Sequence, residues 1–165
     1  MLLGILCLHK QNLSIAYSMD SDNPVKPGNT SSGDIENVQL LIFKIMDVYF
    51  GADMEQIEEM IEPPPGLDPE DIPAFHEVVP FRGDAMVYKT PKVLLIKDGK
   101  EVRPLKIDQA VNIVNVSVNA IQLFPTLLEG HKKSEALWGV AFVDENLVLL
   151  VDLYKIPKQS RVESS

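Results

Sequence analysis

"LLIFKIMDVYFGA", Leu40 to Ala52, is the stretch on which the fold turns. Leu40–Met46 is a short, nearly continuous apolar run. Its length and its β-branched and aromatic content read as a buried strand. A tight turn near Asp47 then sends the chain back through Val48–Ala52 as a second strand. Gly51 in that return leaves room for a close backbone approach or a bulge.

Outward from this hairpin, a helix is expected over Met54–Ile61. Asp53 is placed to cap it, and Gln56, three residues on, completes a capping-box pattern. Met54, Ile57 and Ile61 recur at helical spacing, and Glu55, Glu58 and Glu59 put negative charge in the early turns. Glu55 and Glu58 read as a solvated face. "EPPPGLDPEDIP", Glu62 to Pro73, ends the helix, because proline cannot continue it, and makes a stiff loop.

Beyond the loop the strand signals resume, at Val78–Phe81 and Met86–Tyr88. Val93–Ile96 and Glu101–Ile107 follow, joined by Asp98-Gly99, a two-residue hairpin signal. Pro104 removes a ladder donor, which puts the second of these at an edge or beside a bulge. In Val111–Ile121, Val114, Val116 and Val118 alternate with Asn115, Ser117 and Asn119, the pattern of a strand. A loop over Phe124–Ser134 leads to a last hairpin, Leu137–Val143 with Leu147–Leu153, and a turn at Tyr154–Pro157. Many short strands, one small helix and regular turns indicate a barrel or sandwich. The absence of alternating strand and helix signals argues against a parallel dinucleotide-binding sheet.

The chain has 165 residues, 45% of them hydrophobic, enough for a sizeable core. The net charge of −9 repels phosphate backbones and anionic membrane, so no nucleic-acid partner and no direct membrane insertion are expected. One cysteine, Cys7, allows no intramolecular disulfide, which fits a reducing compartment. "MLLGILCLHK", Met1 to Lys10, is too short to span a bilayer and lacks the basic start of a signal peptide. Residues 1–37 read as an N-terminal arm or disordered linker. Met19 as the true start is the other reading of the first eighteen residues. The folded domain is expected over 38–157, with 158–165 a C-terminal tail.

Site chemistry is sparse. His9, His76 and His131 have no metal-ligand spacing with one another or with Cys7. No phosphate-binding or dinucleotide-binding glycine pattern is present, and no nucleophile elbow. Asp68, Glu70 and Asp71 in the proline-rich loop read as solvated, and Trp138 as core. Arg82-Gly83-Asp84 matches an adhesion tripeptide, a weak signal by itself. Of the strand-spaced apolar residues Val79, Phe81, Val140 and Phe142, most are expected to face inward. The residues alone indicate a β-rich interaction module with no catalytic, cofactor-binding or metal-binding residues and no cofactor.

Four pieces in register resemble the CheW-like family, the adaptors of bacterial chemotaxis arrays. "LLIFKIMDVYFGADMEQIEEMIEP" resembles the family's opening strand, turn and short helix; "VVPFRG", Val78 to Gly83, resembles its Val-x-Asn-Leu-Arg-Gly segment. "KVLLIKDGKEVRPLKIDQAVNIV" and "ALWGVAFVDENLVLLVDLYKI" resemble its central strands and closing hairpin. The resemblance implies a mostly β fold, two SH3-like five-stranded β-barrels packed together with one short helix. It implies a non-enzymatic, cytoplasmic adaptor or scaffold in signal transduction, bridging a CheA-type histidine kinase and the cytoplasmic tip of chemoreceptors. Its protein-binding positions map onto Glu59, Phe81, Arg82 and Gly83, with Arg82 leaving the strand end to meet Glu59 and the receptor tip. The chain departs from the pattern at Pro80, where the family has asparagine, at "DAMVYKTP", which replaces a Pro-x-x-Asp-Leu element, and at Arg103 and Lys106. The alternative is a generic acidic β-barrel interaction module that has lost standard kinase coupling.

Overall fold

The computed structural model describes residues 36–66, 71–81, 85–125 and 134–158. Among the described residues, nine strands and one short α-helix follow one another: β1 (Asn37–Ile45), β2 (Val48–Asp53), β3 (Ile57–Ile61), α1 (Phe75–Val78), β4 (Lys92–Asp98), β5 (Glu101–Ile107), β6 (Ala110–Ser117), β7 (Gln122–Leu123), β8 (Leu137–Val143) and β9 (Asn146–Val151). They form two sheets, one of six strands in the order β6-β1-β2-β9-β8-β7 and one of three in the order β3-β4-β5. All neighbours are antiparallel except β2 and β9, which run parallel at the centre of the large sheet. The mostly β fold is present, in two sheets as the family resemblance implies, with the described strands divided six and three and not five and five.

The apolar run in β1 is explained by burial on both faces. Leu41, Phe43 and Ile45 face the small sheet and join Phe50, Leu94, Ile96, Leu105 and Ile107 in the main core. Leu40 and Ile42 point the other way and are 2% exposed; with Val116, Ala141, Val148 and Leu150, also buried, they form the interior of the large-sheet lobe. A strand buried on both faces has no use for polar alternation. Gly51 permits a close approach here: a Cβ on it would lie 3.1 Å from both Leu150 Cδ2 and Val148 Cγ1, which would have to shift by a few tenths of an ångström. Gly139 is held by a tighter constraint, a Cβ there lying 2.7 Å from the carbonyl oxygen of Gln122 on β7.

Sequence expectation fails at Met54–Ile61. Asp53 does cap, its Oδ1 accepting from the Glu55 N–H at 2.9 Å, but the helix is a single 3₁₀ turn, Met54–Gln56. Residues 57–61 then run as β3 against β4. An eight-residue segment gains little from helix propensity, and pairing plus burial of Ile57 outweighs it. The helical turn of the fold is instead Phe75–Val78, started by the Glu77 carboxylate, which accepts from the Ala74 N–H at 2.8 Å. Val78–Phe81 is therefore no strand; it leaves α1 through Pro80. Met86–Tyr88 is coil as well, although Met86 and Tyr88 pack on the main core.

One local design occurs three times. β2, β6 and β9 each run into a capping Asp or Ser, a three-residue 3₁₀ turn and an isoleucine: Asp53 to Ile57, Ser117 to Ile121 and Asp152 to Ile156. In each, the cap oxygen accepts the N–H two residues on. The β2 and β9 copies lie side by side, because those strands are parallel and Ala52 opposes Val151.

Candidate protein-binding surface

The two adjacent copies build the joint between the sheets. Gln56, fully buried, donates from Nε2 to Asp152 Oδ1 at 2.8 Å and accepts from the Leu153 N–H at 2.9 Å. It thus ties the start of β3 to the chain just beyond β9. From the other side Arg103 on β5 donates to the carbonyls of Leu153 (3.1 Å) and Ile156 (3.4 Å). Asp98 Oδ2 lies 2.7 Å from Lys158 Nζ and 3.2 Å from Arg103 Nε, and the lysine hydrogen bond holds its carboxyl below the usual range. The Arg103 contact is off-line, leaving Nε without a hydrogen bond, and is one of charge proximity only. Arg103, which breaks the family pattern, therefore fastens the C-terminal segment to the small sheet. These groups border a cleft of about 380 Å³ floored by Val78, Ile96, Leu105 and Ile156.

Buried carboxylates serve the backbone. Asp108 Oδ1 accepts from the N–H groups of Lys89 (3.0 Å) and Thr90 (2.7 Å). Asp53, 2% exposed, has Oδ2 without a partner, and burial raises its pKa. His76 Nδ1 lies 2.9 Å from the Tyr88 hydroxyl, whose pKa burial pushes up to about 12. That pair fastens the 85–88 coil to α1. Among the described residues no group of three His, Cys, Asp or Glu is placed to hold a metal, and no helix is long and apolar enough to cross a membrane.

The surface feature that stands out is apolar. One row crosses the large sheet at the end carrying the β1–β2 and β8–β9 turns. Ile45 opposes Val48, Val48 sits one step before the Tyr49–Val148 pair and so beside Leu147, and Leu147 opposes Phe142. These residues share the core-facing side, but the small sheet does not cover the row's far end. Ile45 is 0% exposed, Leu147 49% and Phe142 67%. Exposed acids at the turns, Asp144 and Glu145, border it. An apolar row that rises out of the core with an acidic rim is the anatomy of a protein-docking surface.

The expected site residues are distributed unevenly around it. Phe81 is half-buried, its ring 4.8 Å from that of Phe50, which neighbours Val48 on the same side of β2. Phe81 thus belongs to an aromatic cluster with Phe43, Phe50 and Phe75 and borders the row. Glu59 is exposed in mid-β3, opposite Leu95, on the outer side of the small sheet. Arg82 and Gly83 lie outside the described residues. Val79 is core, 0% exposed, whereas Phe142 is not. Sequence pattern could not have singled Phe142 out, because its strand alternates like the others. Trp138 is half-buried at the β8 bulge, its indole N–H buried without a partner.

No family model matches the sequence, and no curated protein matches it. Among solved structures, the crystal structure of the scaffolding protein TtCheW from Thermoanaerobacter tengcongensis is similar, with a TM-score of 0.56 at 11% identity. The match covers 76% of this chain and 91% of that one. The chain has a CheW-like fold. At this identity the likeness is one of architecture.

Proposed function

We propose that this chain is a non-enzymatic adaptor in chemotaxis-type signal transduction, bridging a CheA-type histidine kinase and the cytoplasmic tip of chemoreceptors. The observation that carries the reading is the likeness of fold to the scaffolding protein TtCheW over 91% of that chain. The docking surface we assign is the row ending at Leu147 and Phe142. Its partner face is apolar and flanked by basic residues, to match Asp144 and Glu145. Glu59, Phe81, Arg82 and Gly83 are assigned to the receptor contact on the family resemblance. In this reading Arg82 reaches from the end of the Phe81 segment toward Glu59, and Gly83 allows the exit. An exposed pair of this kind contributes under ~1 kcal/mol to stability, so its value is in orientation.

The test is affinity capture from the native host's lysate with the full chain and its Arg82→Ala variant. The wild type is expected to retain a histidine kinase or chemoreceptor, and the variant to retain less while melting at the same temperature. A folded wild-type chain that retains neither, or an Arg82→Ala variant that unfolds, counts against the assignment.

A further inference from the structure

Among the described residues, three pairs of neighbouring strands are joined by two-residue loops. These are Met46-Asp47 between β1 and β2, Gly99-Lys100 between β4 and β5, and Asp144-Glu145 between β8 and β9. Loops this tight need positive φ at the first residue or at both, and glycine adopts it without strain. The β4–β5 loop follows the rule, with Gly99 at φ 69° and Lys100 outside the left-handed region. The β1–β2 loop repeats that pattern with Met46 at φ 57° in the glycine position. In the β8–β9 loop both residues are left-handed, Asp144 at 46° and Glu145 at 65°. Aspartate suits the first position of such a loop, but the second is ordinarily glycine. Two of the three loops therefore carry a side chain where glycine belongs. Gln109, also at positive φ, is a different case: its N–H donates to the Thr90 carbonyl (3.3 Å) and its carbonyl accepts from the Lys44 N–H (3.1 Å), so backbone hydrogen bonds fix it.

Both exceptions stand at the apolar row. β2 and β9 run parallel with Tyr49 beside Val148, so the loops that precede them lie side by side. Met46 directly follows Ile45, where the row begins, and Glu145 lies on the turn between Phe142 and Leu147, where it ends. The interior does not use either side chain: Met46 is 40% exposed, Glu145 is exposed, and neither belongs to the main core. Backbone strain of this kind collects at ligand-contacting loops, where a side chain serves something other than the fold. We propose that Met46 and Glu145 hold these two glycine positions because both touch the docked partner, Met46 as an apolar anchor that extends the row and Glu145 as the acid that meets a lysine or arginine of the partner. This rests on the adaptor reading and names the residues that set its specificity. Methionine suits the anchor role, being unbranched at Cβ and able to fill an irregular apolar pocket.

The test uses Met46→Gly and Glu145→Gly in the full chain, each melted and each titrated against the native host's CheA-type kinase and its chemoreceptor cytoplasmic fragment. Each variant should melt above the wild type, because its loop is relieved of strain, and bind about fivefold or more weakly. Met46→Leu keeps both the strain and an apolar side chain, so it should bind nearly as the wild type with no gain in melting temperature. The Glu145→Gly defect should shrink with added salt and the Met46→Gly defect should not, since one is an ion pair and the other apolar burial. A wild-type chain that binds neither protein overturns the adaptor reading and this inference together. Wild-type binding that Phe142→Ser weakens but Met46→Gly or Glu145→Gly leaves intact overturns this inference alone, as do glycine variants that melt below the wild type.

Discussion

Gln56→Ala is the perturbation that tests how the two sheets are held together. The Gln56 side chain is fully buried and makes two hydrogen bonds across a separation of almost a hundred residues. Its loss leaves the Leu153 N–H unpaired in the interior, about 1–3 kcal/mol. It also removes a donor from the Asp152 carboxylate, a charge-assisted bond of about 1.5–3 kcal/mol, although Tyr154 N–H still serves that oxygen at 3.0 Å. Adding a cavity and allowing for partial relaxation, we expect a loss of roughly 3–5 kcal/mol, against a total stability of about 5–15 for a domain. Gln56→Met refills the volume without the hydrogen bonds and should recover about 1 kcal/mol of the loss. Gln56→Glu keeps the acceptor for Leu153 but sets two carboxylates together, so its defect should shrink on acidification. The assay is urea unfolding followed by circular dichroism and by Trp138 fluorescence. If the Gln56 bridge couples the sheets, Gln56→Ala should also separate the two transitions. A loss under ~1 kcal/mol with coincident transitions would refute the reasoning.

Three further outcomes follow from particular side chains. Burial raises the pKa of Asp53, so the native state binds this proton more tightly than the unfolded chain and stability falls as pH rises above the ordinary value of 3.8. Asp53→Asn keeps an acceptor for Glu55 N–H and removes that slope; its advantage in melting temperature should be absent in acid and grow toward neutral pH, and an advantage that does not change with pH would contradict this. Asp144 and Glu145 form the β8–β9 turn with φ of 46° and 65°, a two-residue loop suited to Asn-Gly. Glu145→Gly should therefore stabilise by about 0.5–1 kcal/mol in thermal unfolding, with no change counting against the turn assignment. Gly139→Ala forces a Cβ against the Gln122 carbonyl and should cost upwards of ~1 kcal/mol, with loss of amide protection in β7; unchanged stability with normal protection there would contradict the close approach.

How far the sequence carried the fold depended on whether neighbours in sequence decided the outcome. β1, β2, β5, β8 and β9 were legible because apolar runs and turn residues lie together. Gly99, at φ 69°, begins the two-residue turn between Asp98 and Glu101 that Asp98-Gly99 announced. Residues 54–61 misled because their local preference is helical, while β4, some forty residues on, claims them as a strand. Gln56 read as half of a capping box, yet its partners are Asp152 and Leu153, which no local pattern connects to it. The exposure of Phe142, named only as one strand-spaced apolar residue among four, was illegible for the same reason: whether an alternating phenylalanine is core or surface depends on where the opposite sheet ends. Phe81 was named on the family resemblance as a binding position; the structure shows its ring, half-buried, at the margin of the core.

The central claim is that the chain works by docking other proteins on the row that emerges from its core at Phe142. Its most direct test is a titration of the full chain and of Phe142→Ser against the CheA-type kinase of the native host and against that host's chemoreceptor cytoplasmic fragment. The account predicts saturable binding to at least one, weakened about tenfold or more in the variant, with both proteins melting together. A folded chain that binds neither, or a variant that binds as tightly as the wild type, would contradict it.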